Sequence, residues 1–119
     1  MKLFRKLLIL TTLLVFVIVS CKSTQNQSNT VKNVAEFNEA VKSAKPGTTI
    51  ILANGVWENA ELVFTGKGTK DNPITLTAQD KGQVILSGLS NLRFSGEYLV
   101  VKGLVFKNGY TPTSEVISF

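Results

Sequence analysis

Arg93, Lys102 and Lys107 are the side chains of this chain best suited to chemistry on an anion. Arginine offers a carboxylate a planar fork of donors, and lysine becomes a useful base only when its surroundings lower its pKa. On an alternating strand pattern Arg93 and Lys102 point outward, and Lys107 follows the apolar Phe106. Solvated sheet surface and contact with a ligand groove are both open to them. Among the acids, Glu58 and Glu61 are close in sequence, whereas Glu97 and Glu115 fall at corners. A calcium ion takes roughly 6–8 oxygen ligands, and this spacing supplies no such cluster, so solvated turns are expected. The chain has no histidine, which excludes imidazole acid–base chemistry and His-ligated metals. Asn54, Asn91 and Asn108 suit side-chain ladders at stacked corners, and Trp57 and Tyr110 suit corner packing, with stacking on a sugar as the alternative. No residue of the chain is assigned a catalytic role.

The elements that would position these residues follow from hydropathy. Over Asn33–Ala44, Val34, Phe37, Val41 and Ala44 share one helical face. Asn33 is a good N-cap with Glu36 three residues on, and Pro46–Gly47 closes the helix. From Thr49 onward the apolar residues come in pairs separated by one position: Ile50/Leu52, Leu62/Phe64, Ile74/Leu76, Val84/Leu86, Leu92/Phe94, Leu99/Val101, Leu104/Phe106 and Ile117/Phe119. Period two means strand, with each pair on one face. The pairs also recur. Ile50 to Ile74 is 24 residues, Ile74 to Leu99 is 25, Leu62 to Val84 is 22, Val84 to Leu104 is 20 and Leu92 to Ile117 is 25. Such self-similarity suggests a solenoid in which each coil buries its inward residues on the next.

An antiparallel barrel or sandwich competes, because Asn54–Gly55 and Asn108–Gly109 resemble hairpin turns. Two features favour the solenoid. The helix precedes all the expected strands, where it can cover the open end of the first coil. In addition Ile51, Val63, Ile85, Val100 and Val105 make the outward positions apolar, as in parallel sheets.

The first quarter of the chain has a different character. Lys2, Arg5 and Lys6 precede an uncharged apolar run from Leu7 to Val19, too short for the roughly 20 residues a membrane span needs. It fits the core of a signal peptide over residues 1–20. Ile18–Val19–Ser20 before Cys21 resembles the lipobox of bacterial lipoproteins, in which the cysteine is lipidated and becomes the mature N-terminus. A free thiol, an intermolecular disulfide and a short transmembrane anchor are the alternatives. Residues 21–32 are polar, without aromatics, and are expected to be a flexible tether carrying the lipid at Cys21. Lys22 does not look like an inner-membrane retention signal, which points the anchored protein to the outer membrane. Without the three signal-peptide cations, ten basic residues face eight acidic ones. A charge of about +2 gives no reason to expect nucleic-acid binding and is compatible with a polyanionic substrate.

The segments AKPGTTIILANGVW (Ala44–Trp57), NPITLTAQ (Asn72–Gln79) and SGEYLVVKGLVFKNG (Ser95–Gly109) resemble the N-terminal region of the alginate lyase and chondroitinase B family, polysaccharide lyase family 6. The resemblance runs from about Val34 to Phe119. It implies an all-β, right-handed parallel β-helix with an N-terminal capping α-helix, occupying residues 33–119. It implies a monomeric lyase cutting uronate-containing polysaccharide, alginate or a glycosaminoglycan, by β-elimination. In that family Ca²⁺ neutralises the uronate carboxylate, a lysine removes the C5 proton, and an arginine assists at the leaving oxygen. Those residues belong to later coils, so none is carried onto this chain. Glu115–Phe119 reads as the start of a strand with no polar cap after it. The chain is therefore expected to be an inactive fragment of a longer lyase, with a non-catalytic glycan-binding or adhesin-like β-helix lipoprotein as the alternative.

Overall fold

The computed structural model describes residues 28–109 and 116–119. The proposed signal peptide, Cys21, most of the tether, Tyr110 and Glu115 lie outside the described residues. In chain order the elements are β1 (Ser28–Val31), α1 (Val34–Ser43), β2 (Thr49–Leu52), β3 (Gly55–Glu58), β4 (Glu61–Lys67) and β5 (Ile74–Ala78). Then come β6 (Val84–Gly88), β7 (Asn91–Glu97), β8 (Leu99–Lys102), β9 (Leu104–Gly109) and β10 (Ile117–Ser118).

The strands form three sheets: sheet A in the order β1-β2-β5-β8, sheet B in the order β3-β6-β9 and sheet C in the order β4-β7-β10. Every pairing is parallel. Each coil contributes one strand to each sheet in turn, which is the parallel β-helix. Asn54–Gly55 is a corner between β2 and β3, where the chain turns from sheet A to sheet B, and not the tip of a hairpin.

Inward residues stack in register from coil to coil. Ile50 is level with Leu76 and Val101, Trp57 with Leu86 and Phe106, Leu62 with Leu92 and Ile117, and Phe64 with Phe94. The Phe94 ring meets Phe119 edge-on, with centroids 4.7 Å apart. Ile50, Leu62, Phe64, Ile74, Leu76 and Val84 are wholly buried. At about 25 cal/mol per Å² of apolar surface, these rows dominate the stability of the stack.

The recurrence read from the sequence holds for Ile74 with Leu99, Val84 with Leu104 and Leu92 with Ile117. It needs correction at two places. Ile50 is level with Leu76 rather than Ile74, and Leu62 is level with Leu92 rather than Val84, which lies on a different sheet. The cause is unequal corner length. The Gly68–Pro73 connection between β4 and β5 lengthens one coil, and apolar pairs alone do not say which sheet each strand joins.

The tether also ends earlier than expected, because Ser28–Val31 is a strand pairing with β2. In this strand Val31 is buried, stacked on Leu52. Hydrogen bonding to a preformed strand edge supplies the order its own side chains lack.

Helix α1 lies between β1 and β2 in sequence and packs against β4, β1 and β2, with Phe37 and Ala40 buried on the first coil. Asn33 Oδ1 accepts the Glu36 N–H at 2.8 Å. The Glu36 carboxylate reaches back one residue beyond the cap, accepting from the Lys32 N–H at 2.7 Å. The helix thus covers the core at the N-terminal end of the stack, as its place in the sequence anticipates. No helix among the described residues is long and apolar enough to cross a membrane.

Candidate functional site

The three cations are carried to three different faces. Arg93 is on β7, the central strand of sheet C; Lys102 ends β8 at the edge of sheet A; Lys107 is on β9 at the edge of sheet B. All three are exposed. Among the described residues the one ion pair is Lys42–Glu39 on the helix, at 3.2 Å. A shared cationic centre is therefore not built from Arg93, Lys102 and Lys107.

The acids are likewise dispersed. Glu58 ends β3, Glu61 begins β4 and Glu97 ends β7, each exposed. Among the described residues no three His, Cys, Asp or Glu side chains come together as metal ligands. This donor set does not fit a calcium site, which needs converging oxygens.

Asn54 and Trp57 serve corners, and among the described residues no hydrogen bond joins one asparagine side chain to another. Asn54 Nδ2 donates to Asp80 Oδ2 at 2.6 Å, Asn54 Oδ1 accepts the Asp80 N–H at 3.0 Å, and the Asn54 N–H donates to Gln79 Oε1 at 3.2 Å. Asn91 is buried, its Nδ2 donating to the Leu89 carbonyl at 3.3 Å. Asn108 adopts a positive φ of 53°, which asparagine tolerates better than most residues. Trp57 is buried, and its Nε1 donates to the Ala53 carbonyl at 3.0 Å. It is a corner and core residue, closed to a sugar.

Several cross-coil contacts were not foreseen. The buried Ser90 hydroxyl accepts the Ala60 N–H at 2.9 Å and lies within donating distance of the carbonyls of Trp57 and Ser87. Asn59, at φ 53°, accepts the Leu89 N–H at 2.8 Å. Tyr98 is exposed with φ 50°, and its carbonyl accepts the Ile74 N–H at 3.1 Å. The only sequence signal for these was position at a strand end, shared by many polar residues.

The outer face of sheet C sets a cation among hydroxyls and one apolar residue. Val63, Arg93 and Ser118 form one row across its three strands, and Thr65 and Ser95 form the next. A depression of about 220 Å³ beside this face is lined by the outward Val63, Arg93, Ser95 and Ser118 and by the inward Phe94 and Phe119.

A profile of the chondroitinase B family matches residues 31–119. Among solved structures, the chain is similar to the family 6 alginate lyase AlyGC at 54% identity and a TM-score of 0.73, covering 76% of this chain and 12% of that one. It is similar to the family 6 polysaccharide lyase Pedsa3628 from Pseudopedobacter saltans at 44% identity and a TM-score of 0.72, covering 75% and 21%. A mannuronic acid-specific family 6 lyase from human gut microbiota is 27% identical with a TM-score of 0.65, over 76% and 22%. No curated protein sequence matches. The chain thus spans only 12–22% of the length of these three structures.

Proposed function

Since the chain belongs to the chondroitinase B family, we propose that it forms the first coils of a polysaccharide lyase that cleaves a uronate-containing polysaccharide by β-elimination. The observation that carries this reading is the identity of 54% to an alginate lyase, sustained over 76% of the chain. Alginate is the substrate favoured, because two of the relatives are described as acting on alginate or its mannuronic acid.

On this reading the described coils are scaffold. They cap the solenoid with α1 and set the register on which further coils stack. The reaction needs a group to quench the uronate carboxylate, a base for the C5 proton and a donor to the leaving oxygen. The described residues do not converge on any of these tasks. Calcium, the catalytic lysine and the arginine are proposed to belong to the rest of the enzyme. The enzyme is further proposed to be monomeric and held by a lipid on Cys21 at the outer membrane.

The test is to express the whole gene product and the 119-residue chain separately and supply each with alginate or dermatan sulfate and calcium. The unsaturated product absorbs in the ultraviolet. Absorbance growing with the whole product and flat with the 119 residues is the expected result. No growth with the whole product on any uronate polymer would overturn the lyase reading. It would favour a glycan-binding β-helix, the reading that the dispersed cations of these coils also permit.

A further inference from the structure

The outer face of sheet C differs from those of sheets A and B in the cation it carries, a guanidinium rather than an ammonium. Its central strand carries Arg93, the only arginine among the described residues. In register on either side stand Val63 and Ser118, and the next row along the strands is Thr65 with Ser95. The charged positions of this sheet, Glu61 at one end and the Lys67–Glu97 register pair at the other, frame an interior of hydroxyls, one valine and one guanidinium. Among the described residues no carboxylate lies within ion-pair distance of Arg93. Its guanidinium donors have no side-chain acceptor among the described residues.

That combination suits an acidic sugar. A guanidinium pairs with a carboxylate through two parallel hydrogen bonds, better than an ammonium does. Hydroxyls beside it suit the hydroxyls of a sugar ring, and Val63, 43% exposed, offers an apolar patch to a ring face. The strands of a sheet lie about 4.8 Å apart, comparable with the length of one pyranose unit. A uronate chain lying along the solenoid axis would thus keep pace with the coils.

We propose that the outer face of sheet C, centred on Arg93, is an accessory subsite that binds uronate carboxylates of an anionic polysaccharide away from the reacting bond. This inference rests on the lyase reading above and adds where the polymer is held. Sheet A carries a row of similar make-up, Thr30, Ile51, Thr77 and Lys102, but with an ammonium in place of the guanidinium, which makes Lys102 the matched comparison.

The experiment compares Arg93→Ala, Arg93→Lys and Lys102→Ala in the whole enzyme, on alginate polymer and on a ladder of alginate oligosaccharides. Arg93→Ala is expected to raise KM on the polymer about three- to tenfold, with the ratio to wild type growing with chain length. Arg93→Lys should recover part of the loss, and Lys102→Ala should keep the wild-type KM. An equal rise in KM for Arg93→Ala and Lys102→Ala would reduce the effect to net charge and overturn the subsite. So would a ratio that does not depend on chain length. A wild-type enzyme without lyase activity would sink the lyase reading instead. Direct binding of alginate to Arg93→Ala would then decide the subsite alone, with unchanged affinity counting against it. Arg93 is exposed, and thermal unfolding of each variant confirms that the fold is kept.

Discussion

Asn54 and Asp80, in successive coils, hold each other by two hydrogen bonds, Nδ2 to Oδ2 at 2.6 Å and the Asp80 N–H to Oδ1 at 3.0 Å. They fix the corner between sheets A and B without apolar contact. An exposed hydrogen bond contributes about 0.5–1.5 kcal/mol net. Asn54→Ala removes both bonds and is expected to cost about 1–2 kcal/mol. Asp80→Ala leaves the backbone bond in place and should cost less. Asn54→Asp turns a donor into an acceptor facing a carboxylate and should cost at least as much as alanine. Urea midpoints of the whole protein measure this. Identical midpoints for wild type and Asn54→Ala would remove the corner from the stability account.

Gly96 and Gly82 both have positive φ but for different reasons, and alanine separates them. Gly96 has φ 140° and is level with Gly66, whose carbonyl oxygen a Cβ at Gly96 would overlap. Gly82 has φ 81°, and a Cβ there meets open space. Gly82→Ala should cost only the backbone strain, about 1 kcal/mol. Gly96→Ala must also push β7 from β4, and is expected to cost about 3 kcal/mol or more. Thermal unfolding midpoints should fall in that order. Equal midpoints would mean that the close approach at Gly96 is not maintained.

Much of this architecture is legible in the sequence because a solenoid writes its core as repeated pairs. Ile74/Leu76 and Leu99/Val101 declare themselves as stacked strands, and Phe37 declares the buried face of the helix. What is not legible is held by backbone geometry. Polar Ser28–Val31 becomes a strand only because β2 presents an edge to it. The register of Leu62 on Leu92 depends on how long the intervening corner is, which hydropathy does not encode. The cations show the same limit on the functional side. Arg93, Lys102 and Lys107 are near one another in sequence, yet a chain that turns through three sheets sends them to three faces. Only the parallel register reveals the hydroxyls around Arg93.

Ser90 offers a sharper test of the cross-coil network. Its hydroxyl is buried and accepts the Ala60 N–H, while donating to the Ser87 or the Trp57 carbonyl. Ser90→Ala leaves a buried N–H without a partner, which costs about 1–3 kcal/mol. Ser90→Thr keeps the hydroxyl and should recover part of the stability. Hydrogen exchange gives the local readout. The Ala60 amide should exchange faster in Ser90→Ala than in wild type, by more than the amides of β2. Unchanged protection at Ala60 would mean that another group takes the serine's place.

The proposed lipid on Cys21 can be tested independently of any catalysis. Cys21 directly follows the apolar run Leu7–Val19 and Ser20, and it is the only cysteine of the chain. Each acyl CH₂ buried in a bilayer is worth about 0.8 kcal/mol, so one chain binds marginally and several hold firmly. Wild-type protein should therefore sediment with membranes and incorporate labelled palmitate in its own host. Cys21→Ser keeps nearly the same size but removes the thiol that would carry the lipid. It should incorporate no label, and whatever signal peptidase releases should appear in the soluble fraction. A disulfide partner would give a different pattern, with wild type shifting on a gel when reductant is added and neither form labelled. Equal partitioning of wild type and Cys21→Ser, with no label in either, would overturn the anchor and leave Cys21 as a free thiol.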